Sequence, residues 1–275
     1  MTAANISVHD LGGVGPTVLY SHATGFHGRC WQPVADLLGG FHNVAYDARG
    51  HGDTPAPPDW HVQWEVYGQD AAAIATTLGD DGAIIGVGHS MGGAALLMAA
   101  IAQPDLFRAL VVYEPIVTPT SRAATPNQPE NFLANGARRR RSSFDSYEAA
   151  IANYSAKPPM NLFTPSALEA YVRGGFALAD DGQVHLKCRP EHEARTYEAG
   201  GAHLTWDHLS EVTVPTWVLC GRPEPMQPSM WMRVVAEQIP ESAYVQYDDV
   251  GHFGPMQQPE TIAATIGRAA AFVGL

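Results

Sequence analysis

The chain has 275 residues, 45% of them hydrophobic, which is enough to bury the core of one large α/β domain. Its formal net charge of −12 at pH 7 argues against nucleic acid and against an anionic membrane surface as partners. No apolar run reaches the length of a membrane span and no signal peptide is visible, so we expect a cytoplasmic protein. Cys30, Cys188 and Cys220 are widely spaced and fit no metal-binding pattern.

Apolar runs that alternate with helical patterns predict a doubly wound, mostly parallel sheet in the first half of the chain. An edge strand is predicted first, and four further strands follow: 6–9, 17–21, 44–46, 83–87 and 109–113. Helices are predicted between them at 31–38, 66–78 and 94–102. Ligands of such sheets bind at the carboxyl ends of the strands, where the chain has polar, glycine-rich loops.

The alternation of strands and helices stops at about residue 116. From there to about residue 210 the sequence is polar and interrupted by prolines, with helices predicted over 138–152, 166–172 and 190–197. The pattern of the sheet then resumes, with strands at 216–221 and 244–247 and helices at 228–238 and 259–272. We therefore predict an α/β core of residues 1–115 and 211–275, with residues 116–210 inserted as a helical cap.

Residues 88–92 read Gly-His-Ser-Met-Gly and lie between a predicted buried strand and a predicted buried helix. This strand–turn–helix context is the one that the Gly-x-Ser-x-Gly motif requires. Because glycine lacks a Cβ atom, the backbone can turn tightly and hold Ser90 at a helix amino terminus, where developing negative charge is favoured. The motif predicts that Ser90 is a nucleophile; the alternative is a glycine-rich packing turn.

Four motifs, His-Ala-Thr-Gly, Asp-Ala-Arg-Gly-His-Gly, Gly-His-Ser-Met-Gly and Gly-His-Phe, follow one another at 22–25, 47–52, 88–92 and 251–253. In their order and spacing the chain resembles the α/β-hydrolase superfamily over nearly its whole length. The resemblance implies the α/β-hydrolase fold and a serine hydrolase that needs no metal and no organic cofactor. The second of these motifs is more often a structural turn, so we do not expect His51 to carry chemistry.

His252 follows the last predicted strand, where this family carries the base that takes the proton of the serine. Two glutamates compete for the acid that orients this histidine. Glu224 lies in a Pro-flanked loop where the family pattern is Gly-x-x-Asp, and Glu114 ends a strand from which some family members take their acid. We favour Glu114, because the expected aspartate is missing at the later position, and keep Glu224 as the alternative acid.

The tetrahedral intermediate of acyl transfer needs two aimed N–H donors. The resemblance assigns one of them to the amide of Met91, directly after the nucleophile. It assigns the other to the loop after the second strand, where the amide of Thr24 is favoured over that of Ala23. His89 precedes Ser90, but successive residues at such a turn point apart, and we interpret His89 as a packing residue.

The inserted segment, residues 116–210, is expected to cover the active site and to supply apolar contacts for the substrate. The candidates for these contacts are its aromatic residues: Phe132, Phe144, Tyr147, Tyr154, Phe163, Tyr171, Phe176 and Trp206. Four consecutive arginines at 138–141 suggest a site for an anionic tail. Consecutive residues of a helix cannot all face one ligand, however, and we favour ion pairs or a solvated surface.

These residues together predict a hydrolase of carboxylic esters or lactones that acts through an acyl-enzyme on a small apolar substrate. A dehalogenase or an epoxide hydrolase would carry an aspartate at the turn, and Ser90 argues against both. A cofactor-free perhydrolase and a small-molecule receptor without enzymatic activity stay open as alternatives, because a fold does not determine a function. The sequence carries no signal for an oligomeric state.

Overall fold

The computed structural model describes residues 6–79, 84–119 and 131–275. These residues form the strands β1 (Val8–Gly12), β2 (Thr17–Ser21), β3 (His42–Tyr46), β4 (Ile85–His89), β5 (Ala109–Tyr113), β6 (Ser143–Phe144), β7 (Phe176–Leu178), β8 (Val184–Leu186), β9 (Thr216–Gly221) and β10 (Ser242–Tyr247). The helices are α1 (Gln32–Ala35), α2 (Trp64–Leu78), α3 (Met91–Ala102), α4 (Phe132–Arg138), α5 (Tyr147–Ser155), α6 (Pro165–Gly175), α7 (Pro190–Ala199), α8 (Met232–Gln238), α9 (Gly254–Gln257) and α10 (Pro259–Phe272). Within the described ranges, no helix has both the length and the apolar composition needed to cross a bilayer.

Seven strands form the main sheet in the spatial order β1-β3-β2-β4-β5-β9-β10. The edge strand β1 is antiparallel to β3, and all other neighbouring pairs are parallel. Every residue of β2, β4 and β5 is buried, as is typical of parallel strands that are covered on both faces. The predicted fold class, a doubly wound and mostly parallel sheet, is confirmed.

The hydrophobic core has one layer on each face of this sheet. Successive side chains of a strand point to opposite faces, so Leu19 belongs to the layer that contains α2, α3 and α8, whereas Val18 and Tyr20 belong to the layer that contains α1 and α10. Helix α3 is buried along nearly its whole length, because it lies between the sheet and α2. The helix that begins beside Ser90 is therefore held firmly in the core.

Between β5 and β9 the chain leaves the main sheet and forms a separate layer with α4 to α7. This layer also contains a three-stranded antiparallel sheet, β6-β8-β7, which the sequence pattern did not predict. Its strands are two or three residues long, too short for an alternating pattern to be recognised. We propose that residues 116–210 form the cap and that 1–115 and 211–275 form the core. Residues 1–5, 80–83 and 120–130, including the first residue of the strand predicted at 83–87, lie outside the described part.

The single helix predicted over residues 138–152 is wrong. Helix α4 ends at Arg138, and α5 begins only at Tyr147, with β6 between them. The side-chain oxygen of Ser146 accepts a hydrogen bond from the amide of Ala149, which caps the amino terminus of α5. The arginines at 138–141 therefore end one helix and continue into a loop, and they do not share one helical surface.

Candidate active site

Ser90 lies on the sharp turn between β4 and α3. Its φ of 55° and ψ of −116° are costly for any residue with a side chain, and such strain is commonly held at functional sites. The Ser90 amide donates to the carbonyl of Tyr113 at 2.9 Å, and the Ser90 carbonyl accepts from the amides of Ala94 and Ile116. These three hydrogen bonds hold the backbone of Ser90 in its strained conformation.

Two glycines of the turn are required by close backbone contacts. A Cβ atom on Gly92 would lie 2.3 Å from the carbonyl oxygen of Ser21, and one on Gly88 would lie 2.6 Å from Cα of Gly93. Any side chain at either position would push α3 away from the sheet. The amino terminus of α3 therefore lies directly against the carboxyl end of β2.

His252 lies in the loop after β10, and its Nδ1 is 2.7 Å from Oε2 of Glu114. Glu114 is fully buried, and its second oxygen, Oε1, accepts a hydrogen bond of 2.9 Å from the amide of Gly221. A buried carboxylate is costly unless partners satisfy its oxygens, and both are satisfied here. Because this carboxylate only accepts, the His252 proton belongs on Nδ1, and Nε2 is left as an acceptor.

The alternative acid, Glu224, has different surroundings. Its side chain is 48% exposed and forms an ion pair with Arg222 at 3.3 Å. The amide of Glu224 donates to Oγ of Ser229, which fixes the backbone of this loop. The carboxylate that contacts the His252 imidazole in this structure is that of Glu114.

Two buried side chains hold the backbone of the His252 loop. The hydroxyl of Tyr113 donates to the carbonyl of Gly251 at 2.6 Å, and Nε2 of His89 donates to the carbonyl of His252 at 2.8 Å. Burial lowers the pKa of His89, so it stays neutral although its ring lies 4.9 Å from that of His252. The interpretation of His89 as a packing residue missed this hydrogen bond. The available signal was the position of His89 at the carboxyl end of β4, where the functional loops of such a sheet lie.

Thr24 and Met91 are buried neighbours, with the Thr24 hydroxyl 3.5 Å from the Met91 sulfur. Met91 is the first residue of α3, and amides of a first helical turn have no acceptor within the helix. Among the residues that the structure describes, neither the Thr24 amide nor the Met91 amide donates to a protein acceptor. Met91 directly follows Ser90, and free N–H donors beside a nucleophile are what the stabilisation of an oxyanion requires.

Aromatic side chains from the core and the proposed cap meet beside His252. The ring of Phe26 stacks on Phe253 at 5.8 Å, contacts Tyr171 edge-on at 4.9 Å and lies 6.2 Å from Phe163. Among the other aromatic candidates, Phe144, Tyr154 and Phe176 pack on one another. Phe132 is exposed, Trp206 packs edge-on against Trp231, and the Arg173 guanidinium lies over the ring of Tyr147. The apolar wall nearest His252 therefore comes from both layers.

Two of the arginines at positions 138–141 form ion pairs with different partners. Arg138 forms ion pairs with Glu191 and Glu198 at the surface, at 2.8 and 2.6 Å. Arg140 instead forms a more buried ion pair with Glu193. The guanidinium groups of Arg138 and Arg140 are therefore engaged in ion pairs within the protein, at two different places.

One group of possible metal ligands occurs in the described ranges: His9, Asp47 and Asp53. The Asp47 carboxylate already accepts hydrogen bonds from the amides of Gly28 and Asp53, and it contacts Nε2 of His9 at 2.9 Å. Burial alone would raise the pKa of Asp47, but these hydrogen bonds hold it well below its usual range. The carboxylate joins the loops after β2 and β3, which agrees with the interpretation of residues 47–52 as a structural turn.

Burial lowers the pKa of six histidines around these loops: His22, His27, His51, His89, His192 and His203. For His27 the pKa falls from 6.5 to about 4. Between these two values the unfolded chain binds more protons than the folded protein. The contribution of His27 to the free energy of unfolding is therefore fully present above about pH 6.5 and is lost as the pH falls towards 4.

We expect His27→Gln to weaken this loss of stability on acidification. Glutamine does not titrate but keeps an N–H donor for the carbonyl of Tyr171, which His27 Nε2 contacts at 2.9 Å. The free energy of unfolding, measured in urea between pH 7 and 4.5, should depend on pH less steeply, by up to about 1.4 kcal/mol per pH unit. Equal slopes for the variant and the wild type would contradict the expectation.

A model described as the Alpha/beta hydrolase family matches residues 18–265. Lipase LipV of Mycobacterium tuberculosis is 36% identical over 116 residues, which cover 41% of this chain and 42% of the lipase. The bifunctional esterase/perhydrolase DCH of Acinetobacter calcoaceticus is 26% identical over 260 residues, which cover 90% of this chain and 88% of that enzyme. The peroxisomal alpha-beta-hydrolase Lpx1 of Saccharomyces cerevisiae shares the fold, with a TM-score of 0.79 and 18% identity over 98% of this chain and 81% of its own.

Proposed function

The chain belongs to the alpha/beta hydrolase family, and from this premise we propose that it is a serine hydrolase of carboxylic esters or lactones. The observation that carries the proposal is the 2.7 Å contact between His252 Nδ1 and Glu114 Oε2, on loops that adjoin the strained turn of Ser90. A serine hydroxyl becomes a useful nucleophile only beside a base that a third group orients. The names of a lipase and an esterase among the relatives support esters as the substrate class.

In the proposed reaction, Oγ of Ser90 attacks the ester carbonyl carbon while Nε2 of His252 accepts the hydroxyl proton. Glu114 keeps the other imidazole proton on Nδ1 and stabilises the imidazolium. The amides of Met91 and Thr24 donate to the oxyanion of the tetrahedral intermediate. When the intermediate collapses, the leaving alcohol takes the proton from His252 and the acyl group stays on Ser90.

Water completes the proposed cycle. His252 takes a proton from the water molecule as its oxygen attacks the acyl carbon, and a second tetrahedral intermediate forms. Its collapse breaks the bond to Ser90, whose oxygen recovers the proton from His252, and the carboxylic acid leaves. Phe26, Phe163 and Phe253 form an apolar wall beside this chemistry, which supports an apolar acyl or alcohol group in the substrate.

We expect the wild-type protein to hydrolyse p-nitrophenyl esters and to react with a fluorophosphonate. The phosphonate mimics the tetrahedral intermediate and should add to one side chain, so intact-mass spectrometry should show a single adduct and peptide mapping should find it on Ser90. A folded protein that binds an apolar ester, without turnover and without an adduct, would instead be a small-molecule receptor.

Perhydrolysis is a second candidate, favoured by the similarity to the bifunctional esterase/perhydrolase over 90% of this chain. Hydrogen peroxide would replace water as the second nucleophile, and the acyl group would leave as a peracid with the same transfer of a proton to His252. An assay of peracid formation from the same ester in the presence of hydrogen peroxide, beside the ester assay without it, separates the two reactions. Peracid formation without ester hydrolysis would make perhydrolysis the favoured function and ester hydrolysis the second candidate.

A further inference from the structure

Arg140 and Glu193 form an ion pair in the proposed cap that the reaction above does not use. Nη1 of Arg140 donates to Oε2 of Glu193, and its Nη2 donates to the hydroxyls of Tyr154, at 3.1 Å, and Tyr171, at 2.5 Å. Glu193 is 5% exposed and Tyr171 only 1%. Apolar residues of similar volume often stabilise a protein as well as a buried ion pair does, so stability alone explains this arrangement poorly.

This ion pair packs against the backbone of the loop after β2. A Cβ atom on Gly25, where φ is +78°, would lie 2.5 Å from Oε1 of Glu193 and 3.3 Å from Nη1 of Arg140. The hydroxyl of Tyr171, which accepts from Arg140, donates to the carbonyl of Gly25 at 3.4 Å. Thr24 directly precedes Gly25, so the ion pair lies one residue from an amide proposed to stabilise the oxyanion.

Two further contacts join the same loop to the cap helices. Nε2 of His27 donates to the carbonyl of Tyr171 at 2.9 Å, on α6. The hydroxyl of Tyr197, on α7, lies 3.5 Å from the carbonyl of Thr24. The loop is therefore held by both helices, and Arg140 connects them by bonding to Tyr171 on α6 and to Glu193 on α7.

We propose that Arg140 and Glu193 are positioning residues that hold the oxyanion loop, residues 22–28, in its catalytic geometry. The proposal rests on the serine hydrolase function proposed above. A donor aimed at a developing oxyanion stabilises the transition state more than the bound substrate. Displacement of the Thr24 amide should therefore lower kcat and leave KM nearly unchanged.

The test compares the double variant Arg140→Met/Glu193→Leu with Arg138→Met. The apolar pair leaves no buried charge unpaired, so the thermal midpoint should not fall. We expect kcat to fall about 30- to 100-fold, with KM within about threefold of the wild type. Arg138 lies two residues earlier and has partially exposed partners, Glu191 and Glu198, so Arg138→Met should keep kcat within about twofold.

Amide hydrogen exchange supplies a readout that does not depend on turnover. Peptides that cover residues 22–28 should exchange faster in the double variant and at the wild-type rate in Arg138→Met. An unchanged kcat, or unchanged exchange at residues 22–28, in the folded double variant overturns the proposal. If the wild type hydrolyses no ester, the proposed function fails, and the exchange result still decides whether the ion pair holds the loop.

Tyr171→Phe decides the question if the double variant does not fold. This substitution removes only the hydroxyl that joins Arg140 to the carbonyl of Gly25. A kcat at least about fivefold lower, with KM unchanged, supports the positioning role. A kcat equal to that of the wild type overturns it.

Discussion

Replacement of Ser90 by alanine is expected to lower kcat for p-nitrophenyl ester hydrolysis by about a million-fold, the scale seen when a triad serine is removed. Alanine lacks the oxygen that forms the acyl-enzyme, so neither His252 nor Glu114 has a proton transfer to assist. The buried turn keeps its three backbone hydrogen bonds, because the amide and carbonyl of Ser90 make them. Circular dichroism should therefore show a folded variant, while steady-state kinetics should show the fall in kcat.

Ser229→Ala is a matched control for this variant. Its Oγ accepts a hydrogen bond from the amide of Glu224, outside the proposed site, so kcat should stay within about threefold of the wild type. A folded Ser90→Ala variant with turnover near the wild-type level would remove Ser90 from the mechanism. The fluorophosphonate adduct should disappear in Ser90→Ala and persist in Ser229→Ala.

The parts of the fold that the sequence predicted are those that local patterns determine. The strands β2, β5 and β9 were predicted with the bounds that the structure has, because buried parallel strands are short apolar runs between turns. Helix α2 was also recognisable at its carboxyl end, where Gly79 adopts a φ of 63° as its cap. Apolar runs, turn residues and helix caps are local signals, because the residues that form each of them are close together in the sequence.

The contacts that the sequence did not predict join residues far apart in the chain. The hydrogen bond from His89 to the carbonyl of His252 and the ion pair of Arg140 with Glu193 depend on how loops and cap pack together. No local pattern encodes such partners, since a histidine or an arginine has the same sequence signal whether it is paired or solvated. The small sheet β6-β8-β7 in the proposed cap was missed for a related reason, because β6 has only two residues.

The choice between Glu114 and Glu224 shows where local reasoning ends. The sequence offered two glutamates at carboxyl ends of strands, and only the missing aspartate at the later position favoured Glu114. The structure adds a backbone feature that composition does not reveal: Glu114 has a φ of 43°, one of three positive values among the described non-glycine residues, and Ser90 has another. Strain at both positions fits a site whose geometry is held by its surroundings.

Glu114→Gln is expected to lower kcat by about 10³- to 10⁴-fold, as an amide does in place of a triad acid. Glutamine has one acceptor and one donor, whereas Oε1 and Oε2 of Glu114 both accept, from the Gly221 amide and from His252 Nδ1. If the amide oxygen faces Gly221, the NH₂ group faces Nδ1 and favours the tautomer that carries the proton on Nε2. That tautomer cannot take the proton of Ser90.

The reverse orientation of the glutamine leaves two donors, its NH₂ group and the Gly221 amide, facing each other in a buried place, which costs about 1–3 kcal/mol of stability. Glu224→Gln is the matched control, since its exposed carboxylate pairs with Arg222 at the surface and kcat should fall about tenfold at most. Both variants are compared by kcat at pH 7 and by thermal midpoint. A larger loss of kcat in Glu224→Gln than in Glu114→Gln would assign the acid to Glu224 and leave the Ser90–His252 pair as proposed.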